Sequence, residues 1–124
     1  MGLDRTIRFA SEAAPTWPAI AAQLHRVGLT ASLRMIDGLP AFPDEVPDPT
    51  WKELRVGFAA GMVTLRRGPD SLSCIVWGNA DGPLKRAWDA LCWASAAAGG
   101  GTIDSPDGPV SADDFTHSVG IHPE

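Results

Sequence analysis

The residues of this chain that could do covalent or acid–base chemistry are few and scattered. Cys74 and Cys92 form no CxxC pair, and no histidine lies within a few residues of either. Zinc needs closely spaced ligand pairs, and a reactive thiolate needs a helix N-terminus or a basic neighbour. Neither context surrounds these two, which read as reduced core residues. Of the three histidines, His25 follows an apolar helical position, while His117 and His122 follow Asp113 and Asp114. The D-D-x-x-H pattern offers divalent-metal ligands. A flexible segment does not preorganise four of them, so no metal and no cofactor is expected. The adjacent acids Asp44/Glu45 and Asp113/Asp114 point to opposite faces of an extended chain, whereas acid–base catalysis needs two carboxylates converging on one substrate. No G-x-S-x-G nucleophile elbow occurs. Gly99-Gly100-Gly101 follows a helix, so its amides cannot cradle a phosphate at a helix N-terminus. No catalytic residue is assigned.

Binding chemistry is better represented. Arg8, Arg34, Arg55 and Arg66 each take the outward phase of an expected strand. On one open sheet face they could hold a carboxylate or phosphate bidentately. The plainer reading is a solvated face with cross-strand ion pairs, for example to Glu53, which lies on the same face as Arg55.

Charge is segregated along the chain. Asp37–Pro49 carries Asp37, Asp44, Glu45 and Asp48 with no base, and Asp104–Glu124 carries five acids with no base. Six of the 15 acids and all ten bases remain, so the body is +4 within a chain of net charge −5. A pI near 5 argues against nucleic acid, whose binding rests on phosphate contacts. The acidic loop is Pro-rich (Pro40, Pro43, Pro47, Pro49), which stiffens it, and Trp51 follows directly. Trp is enriched at interface hot spots. Asp37, Asp44, Glu45, Asp48 and Trp51 are therefore the expected partner-binding set.

The positioning elements follow from hydrophobic period. Thr6–Ala10 alternates as a strand. Thr16 with Trp17-Pro18 opens a helix whose stripe is Trp17, Ile20, Ala21, Leu24 and Val27, ended by Gly28. Ala31–Asp37 and Trp51–Phe58 read as strands flanking the loop Gly38–Thr50. Met62–Arg67 and Leu72–Trp77 form a hairpin around Gly68-Pro69-Asp70-Ser71. Asp81 caps a second helix with the stripe Leu84, Ala87, Trp88, Leu91, Ser95 and Ala98. Trp93, Ala90, Ala94 and Ala97 make that helix apolar most of the way round, so it is either enclosed in the domain or meets another chain. Thr102–Asp104 reads as a last strand.

The expected fold is α+β in the order β-α-β-β-β-β-α-β. A mostly antiparallel sheet of five to six strands carries two helices on one face, in a ferredoxin-like arrangement. At 124 residues the chain is one domain, with a core in residues 1–104 and a polar acidic tail at 105–124 that is loop or partly disordered. Met1–Ala10 lacks the apolar core of a signal peptide, and no apolar run approaches the roughly 20 residues that span a bilayer. The expectation is a cytoplasmic protein that engages no membrane.

The segment Leu84–Gly108, LKRAWDALCWASAAAGGGTIDSPDG, is a Trp-bearing helix, a glycine break and a short strand ending in an acidic turn. It resembles the C-terminal part of small bacterial immunity-type proteins and of many uncharacterised α/β proteins. That resemblance implies a non-enzymatic protein that neutralises a toxin by binding it. An acidic surface meeting a basic toxin or effector would be electrostatically steered. Self-association is the alternative partner. Two other functions are open to the sequence: a regulatory module binding a small anion on the arginine face, and an enzyme with a dispersed site.

Overall fold

The structure is a computed structural model, and it describes residues 3–10, 14–77 and 81–123. In chain order the elements are β1 (Leu3–Arg8), α1 (Trp17–Arg26), β2 (Ser32–Ile36), β3 (Leu39–Pro40), β4 (Glu53–Phe58), β5 (Gly61–Arg67), β6 (Ser71–Val76), α2 (Gly82–Gly99), β7 (Thr102–Ser105), β8 (Gly108–Ser111) and α3 (Ala112–Val119). The fold is α+β. Eight strands form one sheet in the order β3-β2-β4-β5-β6-β1-β7-β8, and every neighbouring pair is antiparallel.

Register separates the two faces. Leu33 lies opposite Val56, Val56 opposite Val63, Leu54 opposite Leu65, Leu65 opposite Cys74, and Ile7 opposite both Leu72 and Ile103. All are fully buried and join the helix residues in one core. The alternating phase (Thr6, Arg8, Arg55, Thr64, Arg66, Ser73) faces away.

Helix α2 crosses β6, β1, β5 and β7, with α1 and α3 packed against it. Asp81 caps it by accepting from the Leu84 amide at 2.9 Å. Its buried residues run almost without a break from Ala87 to Ala96, because sheet, α1 and α3 surround it. Trp93 is accordingly buried within the chain, with Arg26 over its ring at 5.7 Å.

The strand and helix counts exceed the expectation of five to six and two. Two of the extra strands and the extra helix have local causes. Asp37-Gly38 adopts positive φ at both residues (50° and 82°), the geometry of a tight hairpin turn, and so creates β3. The segment 105–123, expected as loop or disordered tail, forms β8 and α3. Ser111 caps α3 by accepting from the Asp114 amide at 3.1 Å, Phe115 enters the core, and Gly120 ends the helix at φ 73°. One buried aromatic and two caps outweigh the polarity of the rest.

The glycine run after α2 is a close-packing point as well as a stop. A Cβ on Gly101 would stand 2.6 Å from the Arg8 carbonyl oxygen and 2.7 Å from the Phe9 ring. Backbone cannot yield as a flexible side chain can, so Gly101→Ala should cost about 1–3 kcal/mol, read as a lowered urea midpoint at unchanged slope.

Candidate functional site

The acidic loop is a built structure. Asp37 closes its base: the carboxylate accepts from the amides of Glu53 (2.9 Å) and Lys52 (2.7 Å). These bonds, the one from Glu53 foremost, hold the Asp37 carboxyl below its ordinary pKa. Beyond β3 the chain runs back along β2, with the Ala41 amide on the Arg34 carbonyl (3.1 Å) and the Leu33 amide on the Pro43 carbonyl (3.3 Å). Phe42 and Glu45 make a reciprocal turn. The Glu45 amide donates to the Phe42 carbonyl at 3.0 Å, and the Phe42 amide donates to Glu45 Oε1 at 3.2 Å. Asp48 Oδ1 accepts from the Thr50 hydroxyl (2.6 Å) and amide (2.9 Å), which lowers its pKa. Arg67 donates to the Pro49 carbonyl and stacks on Trp51, 4.3 Å from the ring centroid.

Trp51 is the foundation of the loop and not part of its surface. It is 1% exposed and belongs to the core, so the expectation that it anchors a partner is corrected. The carboxylate of Asp37 is likewise committed to the loop base. Asp44, Glu45 and Asp48 remain exposed along the rim.

The same loop carries three exposed side chains that sequence reasoning missed. Leu39 is 69% exposed, Phe42 75% and Val46 69%. They make up half of the large exposed hydrophobics among the described residues. The available signal was their position: apolar residues in a Pro-rich stretch too broken for a helix or a long strand have no route to the core.

The four arginines do share the open face. Arg55 lies opposite Thr64 and Met35, Arg66 opposite Glu53 and Ser73, Arg8 opposite Ser71 and Thr102. Arg34 occupies a register shift in β2 and lies across Gly57, where a Cβ would stand 2.7 Å from its Nε. Two are ion-paired: Arg8 to Asp104 at 3.0 Å and Arg66 to Glu53 at 3.3 Å. Glu53 thus takes a cross-strand pair with Arg66. Trp77 stands on the same face, 56% exposed, with Arg66 5.9 Å from its ring. None of the four arginines lines the grooves of about 700 and 400 Å³.

Arg5 and the two cysteines are structural. Arg5 points to the helix side, 2.7 Å from Asp89 and between the rings of Trp88 (4.0 Å) and Phe115 (4.9 Å). Burial, the largest single influence, pulls its pKa down, but the hydrogen bond and charge interactions around it, Asp89 foremost, together hold it above the ordinary value. Cys74 and Cys92 are free thiols, both buried, and burial pushes the Cys74 thiol well up, away from the reactive thiolate. Among the described residues no three His, Cys, Asp or Glu gather as metal ligands, and no helix is long and apolar enough to cross a membrane.

Fold and surface together define an α+β protein that presents a stiff, acidic, apolar-tipped loop along one sheet edge. In comparisons with known proteins, the chain matches no family model, no curated protein and no solved structure.

One consequence of the loop base is pH-dependent. The Asp37 carboxyl is lowered in the folded protein, so its contribution is full above the unfolded carboxylate pKa and is lost as pH falls through the folded one. Amide exchange at Lys52 and Glu53 should accelerate, beyond its intrinsic pH dependence, as pH drops below the usual carboxylate range. Asp37→Asn should abolish that extra acceleration.

Proposed function

We propose that this protein acts by binding a basic protein partner through the loop Leu39–Asp48. The observation that carries the reading is the coincidence of three exposed apolar side chains with three exposed acids on one hydrogen-bonded loop. Interfaces draw their energy from apolar anchors in a partner's pocket, while a charged rim sets approach and orientation. A stiff loop loses little entropy on docking. The loop also runs along an edge strand of only two residues, a device that limits indiscriminate strand pairing.

The sharper form of the proposal is toxin neutralisation, and it rests on the resemblance carried by Leu84–Gly108. The finer fold reading is ferredoxin-like. β1 and β2 run parallel through the crossover α1, β6 and β7 run parallel through α2, and β1 lies between the second pair. The anionic-ligand reading draws on Arg34 and Arg55, which make no ion pair among the described residues. It ranks second because none of the four arginines lines either groove and the other two, Arg8 and Arg66, are neutralised.

The test is parallel capture from lysate of cells expressing candidate effectors. The baits are wild type, Phe42→Asp/Val46→Asp and, as an open-face control, Met62→Ser. A basic protein held by wild type and by Met62→Ser but not by the loop variant supports the proposal. Identical recoveries from all three, or recovery only of the protein itself, contradict it.

A further inference from the structure

A groove of about 700 Å³ opens where the end of α1, the β4–β5 turn, the first turns of α2 and the chain after α3 converge. Its walls include Val27, Leu29, Phe58, Ala87 and Ile121, all wholly or partly buried against the core. Ligand pockets commonly hold roughly 300–1,000 Å³ with apolar walls and a few placed polar groups. The charge of this one is distinctive. Among the described residues no acid lines the groove, and Arg86 and His122 are its only ionisable side chains. Arg86 folds back towards the start of α2: its Nη1 lies 3.6 Å from where a Cβ on Gly82 would stand. It makes no ion pair among the described residues. An unpaired guanidinium beside an apolar trough calls for a carboxylate joined to a hydrocarbon body.

We infer that this groove is a binding site for a small amphiphile bearing a single carboxylate, its head on Arg86 and its chain along the apolar wall. The guanidinium offers two parallel N–H donors to the carboxylate, and the His122 ring offers a further polar contact at the rim. A lone cation beside apolar walls would attract neither a second cation nor a polyanion, whose extra charges would be left unpaired in the trough. The site shares no residue with the acidic loop, so it stands or falls separately from the partner-binding reading.

The probe is sodium decanoate, titrated below its micellar concentration into the isotope-labelled full chain and followed by amide shifts. Decanol and decyltrimethylammonium of equal chain length are run beside it. Saturable decanoate binding should move the amides of Leu29, Ala87 and Ile121. Arg86→Met, at an exposed position, should weaken it by about tenfold or more, and so should the cationic head group. Ala60→Trp, which fills the groove from its exposed rim, should abolish it, and Phe42→Asp/Val46→Asp should leave it unchanged. Equal affinity for all three head groups, indifference to Arg86→Met, shifts confined to other surfaces, or no saturable binding would each overturn the assignment.

Discussion

Replacing Phe42 and Val46 together with aspartate should leave folding stability within about 0.5 kcal/mol and weaken partner binding by about a hundredfold or more. Neither side chain belongs to the core, and the hydrogen bonds that shape the Phe42–Glu45 turn come from backbone atoms and the Glu45 carboxylate. The fold therefore has little to lose. A partner that seats both side chains in a pocket loses the burial of two large apolar groups, each worth about 1.5–3 kcal/mol when complete. The choice of aspartate separates the two contributions. It makes an acidic loop more acidic, so an association resting on charge alone would hold or strengthen. Loss of binding at unchanged stability, seen by equilibrium urea denaturation beside binding isotherms, assigns the energy to the apolar tips.

Trp51→Ala should behave in the opposite way, losing about 3–5 kcal/mol of stability. Trp51 is enclosed between the core and the Arg67 guanidinium, and its loss would open a cavity beneath the loop. Trp51→Phe provides the informative contrast. The indole Nε1 is buried without a hydrogen-bond partner among the described residues, so removing it leaves no orphaned acceptor there, and the aromatic volume largely remains. The phenylalanine variant should keep most of the stability that the alanine variant forfeits. A small loss for alanine would place Trp51 outside the core and remove the foundation from the loop. Partner binding should fall with Trp51→Ala as well, through the loosened loop.

These residues show what the sequence disclosed and where it misled. Both long helices were legible because several local signals agree. Trp17-Pro18 and Gly28 bracket α1, and Asp81, Pro83 and the glycine run bracket α2. The strands β4, β5 and β6 followed from period-two alternation. The shared face of the four arginines did not, because a register shift between Leu33 and Met35 breaks the alternation of β2 and sets Met35 opposite Arg55 and Ile36 opposite Leu54. The strand β3 was missed although Asp37-Gly38 is a tight-turn dipeptide, because the prolines that follow suggested loop throughout. The helix α3 was missed because its apolar content is sparse. Ser111, Phe115, Val119 and Gly120 held the signal: a cap, an i,i+4 apolar pair and a stop.

The loop acids were identified by composition, but their division of labour was not legible. Asp37, though exposed, is held by amides fifteen and sixteen residues away, while Asp44 is simply exposed on the rim. Trp51 was assigned outward on the strength of its acidic neighbours, and its burial depends on Arg67, a strand away. Contacts between residues distant in sequence decide both cases, and local patterns do not carry them.

Amide hydrogen exchange of the protein with and without its captured partner reads the binding surface directly. Exchange should slow at Leu39, Phe42 and the amides between Asp44 and Asp48, with the strand amides flanking Arg55, Met62 and Trp77 unchanged. Protection confined to that open face, with the loop exchanging as it does alone, would contradict binding through the loop.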